Sequence, residues 1–359
     1  MRTMDVFLVV LSWIVPLVGV NPALGRDEKM DHPGARAVVG TPDGKLWISS
    51  HKDIRIWDAA TGRLVRTIEP DEVPDRVILM ALRVTADSKT VWAMTPTTIE
   101  GYAIASGKLI FRVKADQPSF ASFDVSRDGK TVVVGGYNNE VIFWDTTTEK
   151  VVRKIKGDST NLRAMEAAGT AMRGLTQPVG TVALSPDGKS LALVALFDWT
   201  VRVYDVKTGE QKHAFVTNNP SHCAHVAFSP DSALLAMDRW HGPGEHGGKE
   251  VISVWDLKSG KLHQEFEEGS MCGFAASADW KWMAAAGTGV LQSKWTGEIH
   301  VWERATGKLR CTIVGHKNNV YPTLVFSRDG NTLVGCNHAT IEMWDANTGK
   351  PIPLGPPKK

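Results

Sequence analysis

Cysteine is scarce in this chain, four residues in 359, which excludes a scaffold built on disulfides. Tyrosine is as scarce, four residues against 13 tryptophans. Neither sign of charge is in excess: 41 Lys and Arg face 39 Asp and Glu, a formal net charge of +2. That balance gives no electrostatic ground for a nucleic-acid partner. Long apolar runs are missing beyond residue 20, which excludes a polytopic membrane protein. Hydrophobic residues at 43% and charged residues at 22% exclude a disordered or collagenous chain. Glycine is plentiful, with 33 residues. Many turns around a recurring tryptophan would produce this profile.

Residues 6–20, VFLVVLSWIVPLVGV, form the one uncharged apolar run, and its 15 residues fall short of the roughly 20 that span a bilayer. Arg2 precedes it, and the small residues Ala23 and Gly25 stand at the −3 and −1 positions before Arg26. Residues 1–25 therefore read as a secretory signal, with export to the periplasm or the exterior. An uncleaved anchor is the alternative. Cleavage leaves the net charge at +2 and no stable membrane insertion.

The rest of the chain is one unit repeated seven times. An aromatic, usually followed by an acid, opens a turn ending in a small residue and a polar one. It occurs as WDAATGR (57–63), YAIASGK (102–108), WDTTTEK (144–150), YDVKTGE (204–210), WDLKSGK (255–261), WERATGK (302–308) and WDANTGK (344–350). A second signature precedes each: TPDGK (41–45), TADSK (85–89), SRDGK (126–130), SPDGK (185–189), SPDSA (229–233), SADWK (277–281) and SRDGN (327–331). In the second signature Pro presets φ, Asp bonds to nearby backbone and Gly accepts positive φ. Short alternating runs such as TVALS (181–185) and VRVYD (201–205) flank the turns as strands. Each unit thus reads strand a, Ser-Pro-Asp-Gly turn, strand b, loop, strand c ending in Trp-Asp, Thr-Gly turn, strand d. Four antiparallel strands make one propeller blade. The expected fold is all-β, a seven-bladed β-propeller over residues 26–354, followed by a short Pro/Lys tail at 355–359.

These motifs resemble the WD40-repeat family, over about residues 31–354, and a mean unit of about 46 residues is near that family's repeat length. The resemblance marks Trp57, Trp144, Trp255, Trp302 and Trp344, with Asp58, Asp145, Asp205, Asp256 and Asp345, as structural repeat positions, and His316 as the one repeat-opening His in a Gly-His pair. The family's internal tetrad of His, Ser/Thr, Asp and Trp is mostly absent. Asp198 stands at the tetrad Asp position of unit 4, whereas His51, Asn138 and His338 stand there in units 1, 3 and 7. The set is degenerate and resembles exported bacterial members. In the last unit, strand d reads KPIPLG (350–355), whose prolines withhold ladder donors. Either it is frayed or residues near 27–33 complete the outer strand.

The repeat is broken in three places. From turn Ser/Thr to closing aromatic the spacing is 16–19 residues, except 26 in unit 5 and 25 in unit 6. The extra residues fall in b–c loops, roughly 238–250 and 287–298. The d–a connection into unit 4, roughly 157–178, is the third outlier, with Leu162, Met165, Met172 and Leu175 near helical spacing. In a propeller the b–c and d–a loops open on the same face, and insertions gathered on one face build binding surfaces. Trp47 and Trp92 read as packing residues in strands. Trp199, Trp240 and Trp295 do not fit the repeat and fall in or beside the b–c loops of units 4 to 6. With Phe197, Arg239, His241 and Lys294 they form the candidate binding set, since Trp and Arg dominate binding hot spots. The competing reading is that each Trp caps its own long loop.

Chemical signatures are few. GPGEHGGKE (242–250) lacks the spacing and following helix of a phosphate loop. His222 and His225 would point to opposite faces of a strand, and Cys223 and Cys272 of neighbouring blades read as free thiols. No catalytic residue, metal or cofactor is assigned. The function expected from the resemblance is a non-enzymatic scaffold for a protein or peptide partner. The alternative is an exported propeller enzyme, lactonase-like or quinoprotein-dehydrogenase-like, with a metal or cofactor over the channel. The main argument against it is that no polar position recurs at the start of strand a. Amino-terminal sequencing of the extracytoplasmic protein is expected to begin at Arg26; an intact Met1 in a cytoplasmic fraction would refute the export reading.

Overall fold

The computed structural model describes residues 30, 32–70, 78–115, 120–136, 140–156, 179–195, 200–216, 225–241, 249–267, 271–287, 298–315, 323–337 and 340–353. They hold 27 strands and no helix. Six sheets have four antiparallel strands in sequence order and the seventh has three. Blade 1 comprises strand a (Ala37–Gly40), b (Leu46–Ser50), c (Ile54–Asp58) and d (Leu64–Ile68). Blades 2 to 6 repeat that plan, and blade 7 has strands a to c at Thr323–Phe326, Thr332–Cys336 and Ile341–Asp345. The fold is a seven-bladed β-propeller.

Sequence explains each strand's place. Strand b is covered on both faces, so TVVVGG (131–136) and WMAAAG (282–287) are nearly continuous apolar runs. Strand d is the outer edge and buries little: Ile68, Ile155, Phe215 and Ile313 point inward while their neighbours are mostly exposed. The buried side chains form seven clusters, each straddling two consecutive blades. Burial of apolar area yields about 25 cal/mol per Å², and here it is gained only when blades stack side by side.

The ring closes by the same packing. Met30, Ala35, Val38, Trp47 and Trp57 of the first blade's side meet Val334, Cys336, Ile341 and Met343 of blade 7. Thr323 Oγ1 donates to the Arg36 carbonyl and Arg328 Nη1 to the Pro42 carbonyl, at 3.3 and 2.7 Å. Of the two expected closures, the structure shows the frayed one. The fourth strand of blade 7 is reduced to a bridge between Trp344 and Pro351, with Ile352 N–H donating to the Met343 carbonyl at 2.8 Å. Two prolines in KPIPLG account for this, because neither donates to the ladder.

All seven a–b turns share one mechanism. The Ser/Thr hydroxyl donates to the Asp two residues on, at 2.5–2.7 Å. The fourth turn residue has positive φ: Gly44, Gly129, Gly188 and Gly330, but also Ser88, Ser232 and Trp280. The two serines offset the left-handed backbone by accepting N–H bonds from Asp43 and Asp187 of the preceding blade, at 3.0 and 3.1 Å. In the c–d turns, Asp58, Asp145, Asp205, Asp256 and Asp345 accept backbone N–H groups two or three residues on. That is the physical use of the Asp in Trp-Asp. The turn glycine lets the preceding blade's outer strand pass beneath it.

Gly349, at φ +71°, would place a Cβ 2.6 Å from the Thr312 carbonyl oxygen, whereas Gly188, at φ +70°, has open space. Gly188→Ala is therefore expected to cost about 1 kcal/mol, from the left-handed backbone alone. Gly349→Ala should cost at least about 3 kcal/mol, because overpacking adds to that strain. Denaturant midpoints of the two variants check the difference.

Candidate binding face

The face carrying the b–c and d–a connections is uneven. In blade 5 the reading of 238–250 as a loop is corrected. Strand b runs through Leu234–His241 and strand c resumes at Lys249–Asp256, paired in register up to His241 opposite Lys249. Arg239 faces Val251, Trp240 faces Glu250, and all three residues 239–241 belong to a strand. These strands have eight residues, against six for strand b of the neighbouring blades 4 and 6. The hairpin strands therefore extend about 7 Å beyond their neighbours. Residues of high β-propensity in strand c, VISVW at 251–255, favour pairing of the extended strands.

The base of this hairpin is anchored. Asp238 is buried, accepts the His225 N–H at 3.1 Å, and has its other oxygen 3.5 Å from His225 Nδ1. Strand b is thereby pinned to the start of strand a where the hairpin leaves the blade. In blade 6, strand b ends at Gly287 and strand c begins at Glu298. Phe197, Trp199, Lys294 and Trp295 lie outside the described residues, as do His316, Asp198, Asn138, His338, His222, Cys223 and the whole 157–178 connection. The hairpin brings Arg239, Trp240 and His241 together on one strand.

Of the structural repeat positions, Trp57, Trp302 and Trp344 are buried, and Trp144 and Trp255 are half-buried. Trp47 and Trp92 are buried in strands. In blade 1 the tetrad is present, and the assignment of His51 to its acidic position is corrected: the acid is Asp53. The Trp57 indole N–H donates to Ser49 Oγ at 2.9 Å. Ser49 Oγ meets His32 Nδ1 at 2.7 Å, and His32 Nε2 meets Asp53 Oδ1 at 2.7 Å. Every group is used if Ser49 donates to Nδ1 and Nε2–H donates to Asp53. Arg55 Nε donates to the second Asp53 oxygen at 2.9 Å. Burial pushes the Asp53 carboxyl up, but the hydrogen bonds from His32 and Arg55 outweigh it and hold it well below the usual carboxylate range. The signal was in the sequence as His32, Ser49 and Trp57, but a two-residue offset in the short b–c turn concealed the acid.

On the channel side, polar groups the sequence reading passed over join blades 2, 3 and 4. Arg83 Nε donates to Asp124 Oδ1 at 3.0 Å, and Asp124 Oδ2 accepts the Leu184 N–H at 2.7 Å. Ser122 Oγ accepts the Val182 N–H at 2.7 Å. These groups clamp neighbouring inner strands to each other. In blade 2, buried Glu100 accepts from Tyr102 and Arg112 at 2.5 and 2.6 Å. Among the described residues no three His, Cys, Asp or Glu side chains gather as a metal site. Cys311 and Cys336 are free thiols. No helix among those residues is long and apolar enough to cross a membrane.

Residues 307–345 match the family model described as "WD domain, G-beta repeat". The chain is 27% identical over 205 residues to WD repeat-containing protein 3 of Homo sapiens, covering 54% of this chain and 20% of that protein. It is 22% identical over 223 residues to autophagy-related protein 16 of Arabidopsis thaliana, covering 62% and 37%. The chain thus spans well under half the length of these relatives. In structure it is similar to the β-propeller domain of Cps50 (Swd1) from Myceliophteria thermophila, with a TM-score of 0.70, 13% identity and coverage of 88% and 96%. Together these matches support a WD40 β-propeller. Blade 1 holds the tetrad and blade 5 carries the extended hairpin.

Asp53→Asn tests the tetrad. A carboxyl whose folded pKa is depressed adds stability above its unfolded value, about 4, and that stability is lost as pH falls toward the folded value. The variant should be about 1–3 kcal/mol less stable at pH 7. The gap to the unaltered protein should narrow below about pH 4, as urea denaturation at the two pH values will show.

Proposed function

We propose that this chain is a non-enzymatic interaction platform, exported by its amino-terminal signal. Its protein or peptide partner binds the face bearing the b–c and d–a connections of blades 4 to 6. The observation that carries this reading is the blade 5 hairpin, which holds Arg239, Trp240 and His241 on strands that outrun their neighbours. Insertions on one face of a repeat array are where such arrays build binding surfaces. The similarity to WD repeat proteins supports a scaffold role in general. Trp199, Trp240 and Trp295 are the proposed apolar anchors, Phe197 belongs to the same proposed set, and Arg239, His241 and Lys294 form the proposed rim.

A platform of this kind works by rigidity. The disc presents its loops without reorganising, so less ordering entropy opposes association. Partner capture with the mature protein, compared with a form whose hairpin is shortened across 242–248, identifies the ligand. Trp240→Ala is then expected to cost about 2 kcal/mol or more of affinity, with the thermal midpoint nearly unchanged. Lys294→Ala should cost less and act chiefly on association rate and salt dependence. A lower thermal midpoint with intact affinity would instead make Trp240 a packing residue of its own hairpin.

A further inference from the structure

The opposite face, where the a–b and c–d turns lie, carries an unusual group at the junction of blades 6 and 7. Two positions of blade 6 depart from the repeat there, and a third keeps the repeat's lysine. The first residue of strand b is Trp282, where the other blades have Leu46, Thr90, Thr131, Ser190, Leu234 and Thr332. Arg310 occupies the bulged second position of strand d, filled by Val65, Ile110 and Val152 in blades 1 to 3. Lys281 ends the a–b turn. The Arg310 guanidinium carbon lies 3.5 Å from the centroid of the Trp282 ring, and Lys281 Nζ lies 4.9 Å from it. Gly330 of blade 7 leaves room for the indole edge: a Cβ there would come within 2.9 Å of Trp282 Cδ1.

The other blades show what these cations would do if they served the fold alone. In blade 4 the residue equivalent to Arg310 is Lys212, which pairs with Asp205 of its own c–d turn at 2.7 Å. Blade 6 has Glu303 at that acidic position, but Glu303 accepts from Thr306 Oγ1 at 2.8 Å instead. Lys45, Lys89 and Lys189, equivalent to Lys281, reach their turn aspartates at 3.9–4.0 Å. Lys281 leaves Asp279 for the indole. Among the described residues Arg310 donates no hydrogen bond and forms no ion pair, and its Nη1 is buried without an acceptor. Burial also lowers its proton affinity, with Asp345 and Glu303 acting on it only through space.

We infer that Trp282, Arg310 and Lys281 form a docking site for a carboxylate of an acidic peptide, on the face opposite the blade 5 hairpin. A guanidinium held on an indole is preorganised, and its Nε and Nη2 edge, unlike the buried Nη1, can offer parallel N–H groups to a planar carboxylate. Lys281 places a second cation within 4.9 Å of the same ring. Leu309, 53% exposed beside Arg310, offers an apolar contact to the rest of a peptide. The site requires no part of the hairpin face and stands independently of it.

The indole resonance of Trp282 in the full chain labelled with ¹⁵N-tryptophan, assigned by its loss in Trp282→Phe, provides the readout. Four probes are titrated, the first three being an acetylated, amidated Glu/Leu hexapeptide, its Gln counterpart, and inorganic phosphate. A Gln peptide with a free C-terminus separates side-chain from terminal carboxylates. The Glu peptide is expected to shift the resonance to saturation, and the amidated Gln peptide to leave it in place. Arg310→Met should weaken the Glu peptide at least tenfold. Arg310→Lys, which keeps the charge but loses the planar fork, should fall between and guards against misfolding of the first variant. Equal response to the amidated Gln peptide, no response to any carboxylate, or undiminished binding in both Arg310 variants would overturn the site. A phosphate response as strong as that to the Glu peptide would overturn its assignment to carboxylates.

Discussion

Side-by-side burial between blades is the interaction on which everything else in this molecule depends. Each sheet has two apolar faces and no core of its own. Its strand b side chains are covered only when a neighbour stands on either side, as Val133 and Leu193 are across blades 3 and 4. A sheet so exposed cannot be stable alone, so the units must close into a ring or leave two apolar faces in water. Here closure rests on the cluster around Met30, Trp47 and Met343 and on inner-strand contacts between blades 7 and 1. The outermost strand of blade 7 contributes a single bridge. The closing seam is therefore held from the middle of the sheets, and the residues just ahead of the first strand take part through His32 and Met30.

Polar chemistry follows from that packing. Stacked blades bring turn next to turn, and the repeated hydroxyl–aspartate bond of the a–b turn lets every blade present the same backbone edge to the next. Where glycine is replaced, by Ser88 and Ser232, the substituent bonds to the preceding blade and offsets the left-handed backbone. Inside the ring, Arg83, Ser122 and Asp124 are engaged in holding adjacent inner strands. The channel wall is thus structural in blades 2 to 4, and the variable chemistry is displaced to the two faces of the disc.

The faces differ in how they escape the repeat. On one, blade 5 lengthens two strands that already belong to the sheet, so its hairpin inherits the rigidity of the blade and is pinned at Asp238 and His225. On the other, blade 6 keeps the length of its a–b turn and changes identity at Trp282 and Arg310. The first departure is visible as a change of spacing. The second is visible only when equivalent positions are aligned through the ladder.

The sequence by itself determined the number of blades, the strand order within each and the positions of the turns. Those are set by local rules of period two, turn residues and a recurring Trp-Asp, all of which act over a few neighbours. It also located the long connections, because length is counted along the chain. The tertiary structure alone decided what those residues do to one another. Residues 238–241 became strand rather than loop because pairing with 249–252 satisfies backbone groups that a loop would leave to water. Asp53, not His51, completes the tetrad because the b–c turn places its carboxylate against His32. Arg310 lies on Trp282 although the two stand on different strands of blade 6. Such contacts join residues tens of positions apart. Their partners are chosen by the stacking and twist of whole sheets, which no short window of sequence encodes.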